Sequence, residues 1–317
     1  MMLRIASRSS RLAQAQTALF AQSLWHAHPH LKSSCQITTL KSSTPSSPPP
    51  QQRVKDSFTR ALDEALLAKH IDCAVHSLKD LPATLAKGLV IACFLPRTEA
   101  RDALVMSNPT PIKTLRDLPE GTTIATSSLR RQAHLRMHAP HVTIVPMRGD
   151  IDTRLDKLHS ESRIDGLVLA AAGLQRIGRE QDITLILETD VMLPAPGQGM
   201  LACVCRDDDA QCLKTLTRLD DANSRLCASA ERAAVRALGA DCGAPVAAYA
   251  HIDGQSLNLR AFIADPQGQH VWSMNGNATH DQAQELGQRI GSILREQAGH
   301  EFCKQYLTNF PTPPAST

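Results

Sequence analysis

RIASRSSRLAQAQ, residues Arg4–Gln16, has an echo in TIATSSLRRQAHL, residues Thr123–Leu135. Each joins a short apolar run to a turn rich in Ser, Thr and Arg, and then to a segment of Ala, Gln and Leu suited to a helix. The repeated order predicts two similar lobes with a cleft between them. Around these stretches, apolar runs alternate with amphipathic segments as far as residue 205, the pattern of an α/β protein whose helices cover mainly parallel sheets. Candidate strands are Leu3–Ala6, Gln36–Leu40, Ile71–Val75, Leu89–Phe94, Thr123–Ala125, Val142–Val145, Gly166–Leu169 and Leu201–Cys205. After Lys55, the residues Phe58, Ala61, Leu62, Ala65 and Leu66 form one stripe at helical spacing. LPAPGQGM (Leu193–Met200) carries two Pro and two Gly before a strand and reads as a hinge recrossing to the first lobe.

Beyond Arg218 the order changes to a helix (Ala222–Leu238), three strands (Val246–Ile252, Leu257–Ala264, His270–Asn277) and a last helix (Asp281–Gln297). That is a separate small α+β domain. The expected division is residues 1–96 with 197–216 for the first lobe, 97–196 for the second, and 217–317 for the C-terminal domain. Ser42–Gln52 (SSTPSSPPPQQ) and the FPTPPAST tail have too little apolar content to pack, and are expected to be a mobile loop and a disordered end.

A chain of 317 residues with 42% apolar content can bury clefts between domains. A net charge of +3 and 3% aromatic residues give little support for a nucleic-acid surface. Small anions are better candidates, because 24 of the 34 basic residues are Arg, whose planar fork matches carboxylate or phosphate. The N-terminus lacks a signal-type apolar core and no stretch approaches about 18 apolar residues, so a cytosolic protein is expected. Nine irregularly spaced cysteines argue against a secreted disulfide framework. Cys203, Cys205 and Cys212 raise zinc, but their spacing matches no common finger, and core packing is the better reading; no metal is expected. His134, His138 and His141 read as surface histidines.

Ligands of open α/β sheets bind beyond the carboxyl ends of strands, where helix N-termini present free N–H groups. Four segments place polar residues there: Ser7–Arg11; His76, Ser77, Lys79 and Asp80; Thr126, Ser127, Ser128, Arg130 and Arg131; Arg148, Gly149, Asp150, Thr153 and Arg154. Each alone fits routine capping or a solvated helix face; four at one sheet edge point to a shared anion site. With no phosphate loop of the G-x-x-x-x-G-K-[ST] or G-x-G-x-x-G type in place, ATP and NAD have no motif support.

In order along the chain, RIASRSSRLAQAQ, AVHSLKDLP (Ala74–Pro82), ATSSLRRQ (Ala125–Gln132), MRGDIDTRLDKL (Met147–Leu158), AAAGLQRIG (Ala171–Gly178), LPAPGQG, AERA (Ala230–Ala233) and GADCGAPV (Gly239–Val246) resemble the porphobilinogen deaminase family. The resemblance implies two periplasmic-binding-protein-like lobes and a C-terminal domain bearing a cofactor cysteine. It implies a transferase of tetrapyrrole synthesis that condenses four porphobilinogen molecules head to tail, with loss of ammonia, into hydroxymethylbilane. By it, Cys242 carries a dipyrromethane cofactor made from substrate, and Asp80 is the catalytic acid. Lys79, Ser77, Thr126, Ser127, Ser128, Arg130, Arg131, Arg148 and Gln198 would contact the cofactor; Arg8, Ser10, Arg154, Arg176, Lys55 and Phe58 would contact substrate. It further implies a monomer without nucleic-acid or membrane partners, with hand-over to a uroporphyrinogen-III synthase. The loop before Lys55 lacks the family's glycines and aspartate, Ala240 and Asp241 replace the usual glycine pair before the cysteine, and Asp150 and Asp152 stand where Asn and Gly are usual. A paralogue with little turnover and a two-lobed solute-binding protein are the rival readings.

Overall fold

The computed structural model describes residues 2–40, 56–108, 111–240 and 243–307, with residues 56–58 by backbone only. The mobile-loop and disordered-tail expectations, and the candidates Lys55, Phe58 (side chain) and Cys242, lie outside the described residues.

In chain order the elements are β1 (Leu3–Arg8), α1 (Arg11–Ala27), β2 (Cys35–Leu40), α2 (Asp56–Leu67), β3 (Cys73–Ser77), β4 (Leu89–Phe94), β5 (Asp102–Met106), β6 (Thr123–Ala125), α3 (Leu129–His138), β7 (Thr143–Val145), α4 (Ile151–Ser160), β8 (Gly166–Ala170), α5 (Ala171–Arg176), β9 (Leu185–Leu187), β10 (Leu201–Arg206), α6 (Ala210–Leu216), α7 (Ala222–Leu238), β11 (Val246–Asp253), β12 (Ser256–Ala264), β13 (Val271–Thr279) and α8 (Ala283–Tyr306). The first sheet has the order β2-β1-β3-β10-β4 and the second β7-β6-β8-β5-β9. Matching β1 to β6, β2 to β7 and β3 to β8, the two lobes repeat one arrangement, and the echoed sequences are the same strand-turn-helix unit in each.

The sheets are mainly parallel, as expected, with four strands running one way in each and one strand against them. β10 runs antiparallel to β3 and β4, and β5 runs antiparallel to β8 and β9. These are the two strands that follow the crossings between lobes, and each enters its new sheet from the opposite end. β5 and β9 were not among the expected strands: β5 opens on an acid, Asp102, and β9 has only three residues. The hinge needs its glycines. Gly197 and Gly199 hold φ of 73° and 86°, and a Cβ on Gly199 would lie 2.8 Å from the Glu99 carbonyl oxygen.

Local chemistry sets the helix starts. Ser10, Ser128, Asp150 and Asp221 cap α1, α3, α4 and α7 by accepting from backbone N–H groups three residues on. Gly239, in the left-handed conformation, ends α7. The predicted stripe of α2 buries Leu62 and Leu66. Cys203, Cys205 and Cys212 pack with Cys73 and Cys93 in the core of the first lobe, as the packing reading holds. In the C-terminal domain α7 and α8 cover one face of the antiparallel sheet β11-β12-β13. α8 continues past a kink at Gly299 to Tyr306, further than expected, because the added turn buries Cys303 and Leu307.

Candidate active site

Both crossings meet at one buried carboxylate. Asp102, the first residue of β5, is fully buried. Its Oδ2 accepts from Arg130 Nη1 at 2.7 Å, and its Oδ1 from Arg131 Nη2 at 2.7 Å and Gln198 Nε2 at 3.1 Å. Burial alone would raise the Asp102 carboxyl, but Arg130 and Arg131, with Lys79 nearby, outweigh it and hold the group below the usual carboxylate range. Arg130 Nη1 also donates to the Leu193 carbonyl (2.7 Å), and Arg131 Nη1 to that of Val168 (2.8 Å). The arginine pair therefore has a resident counter-ion, which the sequence reading did not include. One signal was available: Asp102 is a single acid opening the apolar run DALVM.

Across the cleft, a 3-10 turn after β3 carries Leu78, Lys79 and Asp80. Asp80 Oδ2 accepts from Arg8 Nη2 at 3.1 Å, and both side chains keep about a third or a quarter of their surface exposed (32% and 26%). Lys79 Nζ donates to Gln198 Oε1 at 3.4 Å. Burial first, then the charge of Arg131, pulls Lys79 down to about 8, with Asp80 and Asp102 opposing. Arg154, half-buried on α4, is lowered by burial and by Arg131, and it also feels Asp80; its Nε donates to the Gly149 carbonyl (2.8 Å). Lys79, Asp80, Gln198, Arg131 and Arg154 are thus near one another.

Other candidates are placed differently. Ser10 and Ser128 are N-caps, so each hydroxyl oxygen is engaged and only its hydrogen is free to donate. Ser127 Oγ spends its donor on the Met147 carbonyl (2.9 Å). Thr126 Oγ1 accepts from the Ser128 N–H (3.2 Å), and Ser77 Oγ from Gln16 Nε2 (2.7 Å). Arg176 reaches the hinge: its Nη2 donates to the Gly199 carbonyl (2.6 Å) and Thr98 Oγ1 (3.1 Å), while its buried Nε has no partner among the described residues. Burial lowers it to about 10. Arg148 is exposed in the loop after β7. Of the three histidines read as surface residues, His134 is buried at 4% exposure, and His138 and His141 are half-buried. For His134 and His138 the cause is that α3 packs on its own sheet and also on the C-terminal domain, so more than one stripe is covered; His141, beyond α3, has its Nε2 2.9 Å from the Leu118 carbonyl oxygen.

A cavity joins all three domains. It is lined by Leu78, Lys79, Leu81 and Ala83 from the first lobe, Ser128 and Arg130 from the second, Ala195 and Pro196 from the hinge, and Arg232, Val235, Ala244 and Val246 from the C-terminal domain. Apolar walls with a few cations suit flat rings that carry carboxylates. Ala244, two positions after Cys242 in the sequence, is part of this lining. Arg232, absent from the sequence-based set, donates to the carbonyls of Pro82 (2.9 Å) and Ala83 (3.0 Å). Burial and then Arg236 lower it to about 10. Behind the cavity, fully buried Glu231 accepts from Arg97, from Gly197 N–H (2.7 Å) and from Ala250 N–H (2.7 Å), tying hinge and C-terminal domain together. Its signal was an acid on the buried stripe of α7, between Cys227 and Val235.

Comparison with known proteins shows the family. The family model described as "Porphobilinogen deaminase, dipyromethane cofactor binding domain" matches residues 3–214, and "Porphobilinogen deaminase, C-terminal domain" matches residues 225–296. The chain belongs to the porphobilinogen deaminase family. A porphobilinogen deaminase of Synechococcus sp. (strain RCC307) is 40% identical over 95% of both chains. One from Sorangium cellulosum is 41% identical over 93% of this chain and 98% of its own. Among solved structures, an ancestral cationic amino acid solute binding protein matches with a TM-score of 0.42 and 13% identity, covering 69% of this chain and 87% of that one. Membership across both domain models favours the deaminase over the solute-binding reading.

Proposed function

We propose that this chain is a porphobilinogen deaminase, a transferase that joins four porphobilinogen molecules head to tail with release of ammonia, giving hydroxymethylbilane. The observation that carries the reading is the cleft itself. A carboxylate held by one arginine, Asp80, and a fixed arginine pair flank the site, and beside them a cavity is lined by Lys79, Arg130 and Arg232. The dipyrromethane, attached through Cys242, supplies the nucleophilic pyrrole of the first condensation. Arg130, Arg232, Lys79 and Ser128 fit as its holders, since the cavity offers cations and a hydroxyl at its walls and apolar surface between. Asp80 is the group we assign to proton delivery at the departing amine nitrogen and to balancing positive charge on the ring left behind. Arg8 keeps that carboxylate aimed, and Arg154 with Arg176 receives substrate carboxylates.

We infer three units in the enzyme: residues 1–96 with 197–216, 97–196, and 217–317. Among the described residues no helix is long and apolar enough to cross a membrane. We place the enzyme in the cytoplasm as a monomer that passes its product to a uroporphyrinogen-III synthase. Intact-mass spectrometry tests the assignment of Cys242: the purified protein should carry an adduct of two linked pyrroles that Cys242→Ser lacks. Turnover by a protein of bare sequence mass would reject it.

A further inference from the structure

Besides the hinge, the first and second lobes meet at a bridge that no step proposed above uses. Arg11 opens α1 in the first lobe and reaches the second with both ends of its guanidinium. Its Nη1 donates to Asp152 Oδ1 at 3.0 Å, in the first turn of α4, and its Nη2 to the Ile177 carbonyl at 2.9 Å, just past α5. The chain neighbours of this pair also approach each other. Gly173 on α5 lies between them, and a Cβ there would stand 2.7 Å from Ile151 Cδ1 and 3.9 Å from Leu12 Cδ2.

Local helix chemistry does not account for Arg11. The first turn of α1 has no acid, and a cation at that end opposes the helix dipole. On the other side Asp150 already caps α4, which leaves the Asp152 carboxylate for a partner outside the helix. Both side chains keep solvent contact, 56% and 33% exposed, so the pair adds little to folding. What it joins matters more. Arg154 stands two positions after Asp152 on the same turn of α4, close enough to Asp80 of the first lobe to feel its charge. A tie of modest strength is enough to bias the placement of one lobe's turn against the other.

We propose that Arg11 is a positioning residue: by pinning the first turn of α4 to the first lobe, it holds Arg154 in place beside Asp80 and so sets how well substrate carboxylates are received. This rests on the assignment of Arg154 to those carboxylates.

The test compares the cofactor-bearing parent protein with Arg11→Met, Asp152→Asn and the double variant, by initial rates against porphobilinogen concentration, by melting temperature, and by hydrogen exchange of residues 150–158 without substrate. Arg11→Met should raise KM about fivefold, the scale of one exposed ion pair, with kcat changed less than about twofold and the melting temperature hardly moved. Exchange across residues 150–158 should quicken. The double variant should be no worse than Arg11→Met, because the two side chains act as one contact. An unchanged KM, a loss confined to kcat or melting temperature, additive single effects, or unchanged exchange would each overturn the assignment. In a parent protein that turns over no porphobilinogen the deaminase reading fails, and the exchange measurement still decides the pinning: quickened exchange upholds it and unchanged exchange overturns it.

Discussion

The two lobes share one strand order yet treat their aspartates in opposite ways. Asp102 in the second lobe is fully buried and bound by two arginines and a glutamine. Asp80 in the first is about a third exposed and held by Arg8 through a bond of 3.1 Å. A carboxylate clamped by two arginines and a glutamine is committed to the frame; one at a cleft mouth, held by a single arginine, keeps surface free to face a substrate nitrogen. The difference teaches that charge in this cleft does two jobs, framing on one wall and chemistry on the other.

The comparison breaks most visibly at Asp102. Replacing it with Ala strands Arg130 and Arg131 in the interior, and chemical denaturation should show a loss of about 3–5 kcal/mol, as for other buried pairs deprived of one partner. A loss below about 1 kcal/mol would mean that solvent or substrate sites already satisfy the arginines.

Asp80→Asn should do the reverse. The exposed pair with Arg8 contributes about 0–1 kcal/mol, so the melting temperature should hardly move, while turnover should fall about 10²–10⁴-fold. Parallel melting and rate measurements sharpen the contrast, since near-normal turnover with a large loss of stability would reverse the two roles.

A smaller effect comes from the buried imidazoles. Burial and the charge of Arg8 hold His76 down to about 3, and His134 is equally low. Between pH 6.5 and 3 the unfolded chain binds protons that the native state refuses. Folding stability should therefore fall as pH is lowered through that window, by about 1.4 kcal/mol per pH unit for each histidine. Denaturation midpoints at pH 7 and pH 5, above the carboxylate range, should show a shallower loss in His134→Phe than in the parent. Equal slopes would place a partner or solvent at the ring.

Much of this was legible in the sequence because it depended on local rules. The strand-turn-helix echo, the Pro/Gly hinge and the span of α7 follow from periodicity, caps and glycine conformation, which neighbouring residues decide. The arginines and Asp80 were recognisable because several polar turns converge on one sheet edge. Asp102, Glu231 and Arg232 were missed because their roles arise from contacts distant in sequence. Asp102 meets Gln198 across 96 positions, and Glu231 meets Arg97 across 134. His134 was misplaced for the same reason: nothing near it in the chain announces that a second domain covers α3. The antiparallel entries of β5 and β10 depend on how the crossings enter each sheet, which strand composition does not encode.

The most direct test of the account supplies porphobilinogen to the purified protein and follows ammonia release together with uroporphyrin absorbance after oxidation. The account predicts four ammonia per tetrapyrrole in the parent protein and near-abolished release in Asp80→Asn that still carries its adduct. A parent protein that bears the Cys242 adduct yet releases no ammonia would contradict it.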